Sequence, residues 1–453
     1  MSAGHRLFGT DGIRGRFGEL PLDRGTVTAL AVHLAATLRE RGNGAAPRVV
    51  LGGDTRESTP EICRWLAAGI EQGGVDVRYA GVIPTPGVAY LARHTGAAAG
   101  VVVSASHNPY PDNGIKLIDP QGTKWSDEDE LTLERRLLAD RERSVPDLPP
   151  DRPEIDADLR ESYLRHLAAT IPGERPLGGL RVVLDAGNGA AAFYAREIFE
   201  RLGASVILLH AEPDGRNVNE NCGSTAPAEM AARVAAEGAD LGAAFDGDAD
   251  RCILADERGE VRDGDAILYL WATCLYRSGR LVPPRIVATS MSNLGLEKAL
   301  AAEGIGVVRC NVGDRYVVET MRKEGILLGG EQSGHIVQSE LASTGDGLLT
   351  AVQMAALRHQ AGRPLSEMLA PFRRYPQILL NVKVAKKVDF KHLPAVSAKA
   401  RAVEERLGED GRLVLRYSGT EPLARIMIEG PEQEMIDALA EELAVESRGE
   451  LGS

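Results

Sequence analysis

Three carboxylates at alternate positions, Asp246, Asp248 and Asp250, form the clearest chemical motif of the chain. Hard oxygen ligands at this density are typical of Mg²⁺ or Ca²⁺ sites, and without a cation the carboxylates would repel one another. A calcium-binding EF-hand is a rival, because Glu257 stands at loop position 12, but Arg251 occupies position 6, where the turn needs glycine. The motif therefore predicts a metal site that favours Mg²⁺, with a solvated acidic turn as the alternative.

An apolar run ends abruptly in Ser104, Ser106 and His107, and Pro109 prevents its continuation. Loops at the carboxyl ends of strands are where α/β domains bind ligands, and a serine there could be a nucleophile or carry a phosphoryl group. The local pattern does not choose between the two serines. A polar cap on a turn is the alternative.

Two cationic side chains follow glycine-containing segments. The pair Asn113-Gly114 predicts a tight turn, which would present Lys116 near the same edge, to clamp a phosphate or to move a proton. The glycine-rich segment Phe8–Gly15 predicts a folded-back loop that presents Arg14. Taken alone, each cation is more often a surface residue.

A polar loop, Gly329–His335, directly follows an apolar run. Glu331 and Gln332 lie between its glycines, and such side chains can pair with the hydroxyls of a sugar. His335 could act as an acid or a base near neutral pH. The alternative is a polar hairpin without chemistry.

Two arginines, Arg416 and Arg425, bracket the turn Ser418-Gly419-Thr420. Guanidinium groups, hydroxyls and loop N–H groups together make a phosphate-binding site. With the serine, the metal loop and the sugar loop, this site indicates phosphoryl transfer on a sugar. Such a reaction depends mostly on positioning and on neutralising charge, which Mg²⁺ would assist.

The elements that must position these loops follow a repeated pattern. One pattern begins at Arg48 and recurs at Arg181 and Arg285: a strand, a loop, a helix, a glycine and a second strand. It predicts three related α/β domains. The remainder predicts a small α+β domain whose last residues, Glu446–Ser453, fray. The Pro-rich segment Ser144–Pro153 is typical of a linker. The predicted boundaries are 1–150, 151–256, 257–372 and 373–453.

The composition restricts the class of protein. The 453 residues are 43% hydrophobic with a formal charge of −13, which argues against nucleic acid or an anionic membrane as a partner. No apolar run approaches the ~18 residues of a membrane span, and the N-terminus lacks the apolar core of a signal peptide. The five cysteines, never in a CxxC pair, indicate neither a disulfide framework nor a zinc site, and favour a reducing cytoplasm.

Taken in order, six motifs resemble the α-D-phosphohexomutase superfamily: FGTDGIRG, SASHNP, NGIK, DGDADR, GEQSGH and RYSGTEP. Three features are most similar to the bacterial branch that acts on glucosamine phosphates, namely Gln332, Asn219–Thr225 and Val312–Val317. Ala226, where many members have His, and Tyr417, where Lys is frequent, depart from that pattern. The resemblance implies four domains around one cleft, three α/β with mixed sheets and a fourth of the TATA-binding-protein-like α+β type.

The resemblance also implies roles for individual residues. Ser106 would be the phosphoserine, and its phosphate would hold one Mg²⁺ per chain together with the three aspartates Asp246, Asp248 and Asp250. The transferring phosphoryl group would be surrounded by Arg14, His107, Lys116 and Arg251. Lys116 and His335 are the acid and base candidates. Glu331 and Ser333 would bind sugar hydroxyls, and the other phosphate would be held by Arg416, Ser418, Gly419, Thr420 and Arg425.

The reaction so implied is an isomerisation. Phospho-Ser106 would donate its phosphoryl group to glucosamine 6-phosphate, and the 1,6-bisphosphate would return its other phosphate and leave glucosamine 1-phosphate, an amino-sugar precursor of UDP-N-acetylglucosamine. Glucosamine or glucose 1,6-bisphosphate would serve as activator. A mutase for mannose or glucose phosphates, a Mg²⁺-dependent phosphatase with an aspartate nucleophile and a Ca²⁺-binding module are the alternatives. A homodimer is left open.

Overall fold

A computed structural model describes residues 7–9, 11–42, 46–139, 153–418 and 422–452. Of the predicted linker Ser144–Pro153, the structure describes Pro153 alone. The chain forms two compact units, one of residues 1–291 with 307–369 and one of residues 292–306 with 370–453. No helix in the described part of the chain is long and apolar enough to cross a membrane.

The first α/β segment contains a six-stranded sheet in the order β1-β2-β6-β5-β3-β4. Its elements are β1 (Phe8–Gly9), β2 (Gly12–Arg16), α1 (Arg24–Arg41), β3 (Arg48–Gly53), α2 (Thr59–Gln72), β4 (Asp76–Val82), α3 (Thr85–His94), β5 (Ala99–Val103), β6 (Asp112–Ile118) and α4 (Asp127–Ala139). Strand β5 is buried along its whole length, so the loop that follows it begins in the core.

The second and third segments build two further sheets, in the orders β11-β10-β9-β7-β8 and β13-β12-β14-β15. The second segment consists of α5 (Ala157–Ala169), β7 (Arg181–Asp185), α6 (Ala195–Arg201), β8 (Ser205–Leu209), α7 (Ala228–Glu237), β9 (Leu241–Phe245), β10 (Cys252–Asp256) and β11 (Val261–Arg262). The third consists of α8 (Gly264–Arg277), β12 (Arg285–Thr289), α9 (Leu294–Ala302), β13 (Gly306–Cys310), α10 (Asp314–Glu324), β14 (Leu328–Gly330), β15 (Ile336–Gln338), α11 (Gly347–Ala361) and α12 (Leu365–Met368).

The same strand arrangement occurs in all three sheets. The orders β4-β3-β5-β6, β8-β7-β9-β10 and β13-β12-β14-β15 match position by position, and the last strand of each is antiparallel to its neighbour. The glycines that follow the three helical runs, Gly74, Gly203 and Gly304, have φ of 76°, 99° and 81°, which glycine adopts without cost. The prediction of repeated α/β segments with mixed sheets is confirmed, while the exact domain boundaries stay a prediction.

The C-terminal part of the second unit is an α+β arrangement. Its elements are β16 (Gln377–Lys383), α13 (Pro394–Leu407), β17 (Arg412–Tyr417), β18 (Leu423–Glu429) and α14 (Gln433–Leu451), and the antiparallel sheet has the order β16-β18-β17. The expectation that residues 446–453 fray is wrong for the described ones. Helix α14 runs to Leu451, because Ser447 and Leu451 are buried and the Leu451 carbonyl accepts from the amide of Ala385.

The prediction of a tight turn at Asn113-Gly114 is also wrong. Both residues lie in β6, where Arg14 pairs with Gly114 across β2. The glycine is needed for a different reason, since a Cβ at Gly114 would lie 2.6 Å from the carbonyl oxygen of Ser104. The pair therefore marks a close backbone approach beneath the serine loop.

Candidate active site

The loop after β5 distinguishes the two candidate serines. Ser104 is fully buried, and its hydroxyl donates to Asp54 Oδ2 at 2.6 Å and accepts from the amide of Ser106 at 2.9 Å. Ser106 instead directs its hydroxyl towards the metal loop and donates to Asp246 Oδ2 at 2.6 Å. Its φ of 51° is left-handed, a conformation that costs free energy in a non-glycine residue and concentrates at functional sites. Ser104 thus supports the loop from within, and Ser106 presents its hydroxyl to the metal loop.

A buried arginine that the motifs did not indicate holds this loop in place. The guanidinium of Arg56 donates to the carbonyl oxygens of Ser106 at 2.9 Å, Asn108 at 2.8 Å and Pro109 at 2.6 Å. Its Nε donates to Asp54 Oδ2 at 2.9 Å. The side chain is 0% exposed; its bonds to Ser106 and Asp54 are buried, and those to Asn108 and Pro109 are partly buried.

The three aspartates of the metal loop converge as their spacing predicts. They lie between the antiparallel strands β9 and β10, all three are buried, and one oxygen of each lies within 4.8 Å of the others. Within the described residues, Asp248 Oδ1 and Asp250 Oδ1 have no hydrogen-bond partner. Buried carboxylate oxygens without partners are costly, and a divalent cation would satisfy them. The residues present therefore fit a hard metal ion.

The electrostatics of the loop support the same conclusion. Burial, and then the charges of Asp250 and Asp248, raise the pKa of Asp246 to about 8. Burial alone would also raise the pKa of Asp250, but Lys116 and His335 hold it well below its ordinary value. The protein's own cations therefore do not offset all three carboxylates.

A cavity of about 590 Å³ opens beside the serine, entirely within the first unit. The residues that line it are Leu7, Gly9, Asp11, Gly12, Arg14, Ser106, His107, Asn108, Asp250, Arg251, Val312, Gly313, Asp314, Glu331, Ser333 and His335. Its size suits a small ligand such as a phosphorylated sugar.

Two arginines and a neutral histidine border this cavity. Arg14 donates to the carbonyl of Ala105 and to the carboxylate of Asp11, which fixes it beside the serine loop. Burial, and then the charges of Arg251 and Arg14, lower the pKa of His107 to about 4. The imidazole is therefore neutral at pH 7 and can donate or accept a hydrogen bond next to two guanidinium groups, an arrangement that suits a phosphoryl group.

Lys116 lies deeper than the sequence suggests and does not line the cavity. Its Nζ lies 2.8 Å from Asp248 Oδ2 and 3.6 Å from Asp250 Oδ2, and the side chain is 1% exposed. Burial lowers its pKa, but Asp11, Asp248 and Asp250 outweigh that effect and raise it. Lys116 is therefore a protonated ammonium group at neutral pH, which suits an acid or a clamp rather than a base.

The polar loop of the third sheet is a hairpin that also faces the cavity. Gly330 pairs with Ile336 at its base. The buried hydroxyl of Ser333 has no partner in the described part of the chain, and Glu331 accepts from the amide of Gly313 at 3.0 Å. These groups can form hydrogen bonds with a ligand hydroxyl. The segment is therefore a hairpin, and its role in sugar binding stays a prediction.

His335 is fixed from two sides. The amide of Gly345 donates to its Nε2 at 3.0 Å, which places the proton of a neutral ring on Nδ1, 3.7 Å from Asp250 Oδ2. Burial lowers the pKa of His335, but the carboxylates of Asp250 and Asp314 outweigh it and raise the pKa. The amide bond holds the neutral ring in one orientation. The carboxylates favour protonation at Nε2, which requires that bond to break.

An ion-pair chain at the cavity wall escaped the sequence analysis. Lys124 contacts the carboxylates of both Asp11 and Asp314 and is itself mostly buried. It connects the hairpin that carries Arg14 with helix α10 of the third segment. No motif signalled it, because its partners are distant in the sequence.

The arginines of the second unit occupy neighbouring strands. Arg416 on β17 pairs in register with Arg425 on β18, and Arg425 donates to the hydroxyl of Ser418 at 3.4 Å. Burial, and then the charge of Arg425, lower the pKa of Arg416. Two like charges side by side favour an anion between them. Lys387, absent from the sequence prediction, adds an ammonium group on the carbonyl of Ser418 at 2.6 Å. Gly419 and Thr420 lie outside the described residues.

The departure at Tyr417 has a structural explanation. Its hydroxyl donates to the carbonyl of Val388 at 2.6 Å, and its ring stacks on Phe390 with centroids 4.5 Å apart. Tyr417 therefore packs within the second unit, and the positive charges near it come from neighbouring residues.

Comparison with known proteins decides the family. Four family models match in order, those of phosphoglucomutase/phosphomannomutase alpha/beta/alpha domains I, II and III and of the C-terminal domain, over residues 5–144, 161–259, 263–375 and 379–445. The chain belongs to this family. It is 46% identical over 446 residues to the phosphoglucosamine mutase of Solibacter usitatus, covering 98% of this chain and 99% of the relative.

Solved structures agree on the fold. A phosphoglucomutase/phosphomannomutase family protein from Burkholderia thailandensis has a TM-score of 0.80 at 23% identity, over 99% of this chain and 98% of its own. The N-acetylphosphoglucosamine mutase of Aspergillus fumigatus, in complex with GlcNAc-6P and magnesium, has a TM-score of 0.65 at 20% identity, over 99% and 97%. The resemblance to the superfamily, its glucosamine branch and its isomerase chemistry is confirmed.

Proposed function

We propose that this chain interconverts glucosamine 6-phosphate and glucosamine 1-phosphate through phospho-Ser106 and a 1,6-bisphosphate intermediate. The observation that carries the proposal is the position of the Ser106 hydroxyl, 2.6 Å from Asp246 and on the wall of the cavity that Arg14, Arg251 and Glu331 share. Phosphoryl transfer needs a positioned oxygen and a neutralised charge more than covalent assistance. This cavity offers both.

The proposed steps use groups of this chain. Phospho-Ser106 gives its phosphoryl group to the free hydroxyl of the bound sugar phosphate, while Arg14 and Arg251 offset the charge that is transferred and the neutral His107 donates a hydrogen bond to it. Lys116, as an ammonium group, stabilises the carboxylates behind the serine. His335 gives or takes the proton of the sugar hydroxyl, and Glu331 and Ser333 orient the ring. The 1,6-bisphosphate then turns over in the cleft, and its other phosphate returns to Ser106, which releases glucosamine 1-phosphate.

One Mg²⁺ per chain is part of the proposal, held by Asp246, Asp248, Asp250 and the phosphate on Ser106. When bound, it withdraws charge from the phosphoryl oxygens. The unpartnered oxygens of Asp248 and Asp250 support this assignment, as does the magnesium named for the Aspergillus fumigatus enzyme.

The phosphate that is not transferred has a proposed site in the second unit. We assign it to Arg416, Ser418, Gly419, Thr420 and Arg425, on the strength of the paired arginines. A glucosamine or glucose 1,6-bisphosphate is the proposed activator, because it would phosphorylate an empty Ser106. A cytoplasmic location is supported by the five free thiols, and the homodimer left open by the sequence is tested by light scattering of the full chain.

The experiment compares wild type with Ser106→Ala and with Ser278→Ala as a control, since the Ser278 hydroxyl donates to the carbonyl of Leu275 in α8. We expect one phosphate per wild-type chain by intact mass, mapped to Ser106 by peptide analysis, and loss of most isomerisation in Ser106→Ala alone. An almost fully active Ser106→Ala variant would refute the carrier. Steady release of inorganic phosphate without isomerisation would favour the aspartate-nucleophile phosphatase.

The sugar is tested separately by kcat/KM. Glucosamine 6-phosphate is compared with mannose 1-phosphate and glucose 1-phosphate on the same preparation. We expect the amino sugar to be preferred at least tenfold, about 1.4 kcal/mol. A tenfold or larger preference for a neutral hexose phosphate would assign the chain to the sibling mutases.

A further inference from the structure

Three side chains with different metal-binding atoms meet at the carboxyl edge of the second sheet. Asp185 ends β7, His210 directly follows the parallel neighbour β8, and Cys222 lies in the loop beyond. A carboxylate oxygen, a ring nitrogen and the thiol sulfur all lie within 4.8 Å of one another. Among the described residues that line the Ser106 cavity, none belongs to this cluster. The expectation of no zinc site rested on cysteine spacing alone, and a site with one cysteine escapes it.

His210 and Asp185 make a close polar contact at the centre of this cluster. His210 Nδ1 lies 3.1 Å from Asp185 Oδ1, yet within the described residues this buried nitrogen makes no aligned hydrogen bond. The backbone φ of His210 is 46°, in the left-handed region that residues other than glycine rarely adopt. Asp185 also accepts from the amides of Gly187 and Gly223, and His210 lies against it at some backbone cost, which a shared cation would offset.

Negative charge around the Cys222 thiol also favours a bound cation. Burial, and then Asp185, Glu220 and Glu229, raise the pKa of Cys222 to about 12. The surroundings therefore attract a cation and disfavour a bare thiolate. His210 is 24% exposed, which leaves an entry path for an ion.

We propose that Asp185, His210 and Cys222 form a second metal site, which binds Zn²⁺. An oxygen, a nitrogen and a sulfur donor suit zinc, whereas Mg²⁺ prefers oxygen ligands alone. Tetrahedral zinc with bonds of roughly 2.0–2.3 Å holds its ligands about 3.3–3.8 Å apart, so a contraction on the order of 1 Å completes the site. A water molecule takes the fourth position.

Each ligand atom has a defined part. Zinc bonds to His210 through Nδ1, and Nε2, 3.4 Å from Glu229 Oε2, keeps its proton and donates it to that carboxylate, an outer contact common at zinc sites. The Sγ–H bond of Cys222 breaks, its electron pair forms the bond to zinc, and the proton leaves to solvent. No electron is transferred.

The position of the cluster indicates a structural role behind the active site. The glycines that follow Asp185 and Cys222 lie against the carbonyl of Phe245, the residue before Asp246, where a Cβ at Gly223 would approach to 2.3 Å. In the same loop, Asn219 donates to the carbonyl of Ser106 at 2.9 Å. Zinc would therefore fix the loop that buttresses both the serine and the metal loop.

The test uses the full-length chain, stripped of metal by chelation and saturated with Mg²⁺, and titrated with Co²⁺. A thiolate bound to Co²⁺ gives an ultraviolet sulfur-to-metal charge-transfer band, which oxygen ligands such as those of Asp246 and Asp248 do not give. We expect this band to saturate at one equivalent and to be removed by one equivalent of Zn²⁺. Cys222→Ser should lose it, and Cys274→Ser, a half-buried cysteine of α8, should keep it.

His210→Gln provides a second variant, with zinc affinity measured by competition against a chelating dye. Loss of an outer partner alone typically weakens metal binding 10–100-fold, so loss of this ligand should weaken it at least tenfold. A wild-type chain without the band, or a band that survives in Cys222→Ser, overturns the proposal. The wild-type titration needs no variant to fold, and its outcome is independent of isomerase activity.

Discussion

Replacing Arg56 by lysine tests how the serine loop is positioned. Lysine keeps the positive charge but has a single nitrogen, whereas the guanidinium donates along several directions at once. The guanidinium donates to the carboxylate of Asp54 and to the carbonyls of Ser106, Asn108 and Pro109. A lysine can reach only part of this set, so at least two of these hydrogen bonds are lost, although each acceptor keeps a second donor, such as Asn219 for the carbonyl of Ser106 and Ser104 for Asp54.

The expected magnitude follows from these contacts. A hydrogen bond from a charged donor contributes about 1.5–3 kcal/mol, and lysine keeps the charge that faces Asp54. With about two such bonds lost, we expect Arg56→Lys to lose about 3–6 kcal/mol in the free energy of unfolding. Displacement of the serine by about 1 Å can lower kcat by about 100-fold, or about 2.7 kcal/mol.

Two measurements on the same preparations separate stability from positioning. Denaturant unfolding gives the loss of stability, and kcat is measured at a temperature where circular dichroism shows the variant to be folded. Arg216→Lys is the matched control, because Arg216 pairs with Glu57 at 2.7 Å but is 66% exposed; such pairs contribute about 0–1 kcal/mol. An Arg56→Lys variant with the unfolding midpoint and kcat of wild type would show that this network does not position Ser106.

Three further outcomes are expected. Arg425→Ala should raise KM at least tenfold with little change in the unfolding midpoint, and unchanged kinetics would contradict the phosphate site. Gly345→Ala should lower kcat at least tenfold, because its Cβ would lie 2.5 Å from the His335 ring; wild-type kcat would show that the ring orientation is unimportant. Burial raises the pKa of Asp346 to about 7, so the folded state retains a proton that the unfolded state has released above about pH 4. The free energy of unfolding of wild type should therefore fall from pH 4 to pH 7 relative to Asp346→Asn, which can still accept from Tyr163, and parallel pH profiles would oppose this reasoning.

The features that the sequence predicted correctly are local ones. The strand-loop-helix units rest on short runs of buried residues and on a following glycine, and both are readable in a few residues. The aspartate triplet is equally local, because its alternate spacing between β9 and β10 brings the carboxylates together without help from elsewhere. Ser106 could not be separated from Ser104 in this way, since the difference lies in Asp54 and Asp246, which belong to other strands.

The features that the sequence missed depend on distant partners or on the backbone. Arg56 donates to backbone carbonyl oxygens. Every residue has a carbonyl oxygen, so a sequence motif cannot indicate these partners. Lys116 was placed near a turn, but it lies in β6 opposite Val102, so its side chain enters the core. The usable signal was the run Gly114–Ile118, in which one lysine interrupts apolar residues. A cation in such a run indicates a buried counter-charge, here Asp248 and Asp250.

The charges of the cavity wall explain why the serine, the cation site and the arginines belong together. Three buried carboxylates face one hydroxyl, and Lys116 and Arg251 leave Asp246 with a raised pKa. A phosphate on Ser106 would add about −1.5 to −2 charges at neutral pH, which this pocket could not hold without a divalent cation. A divalent cation alone would in turn lack the fourth oxygen ligand that the phosphate supplies. Phosphate on Ser106 should therefore raise the affinity for Mg²⁺, which calorimetry on the phosphorylated and unphosphorylated chain measures; equal affinities would contradict this reasoning.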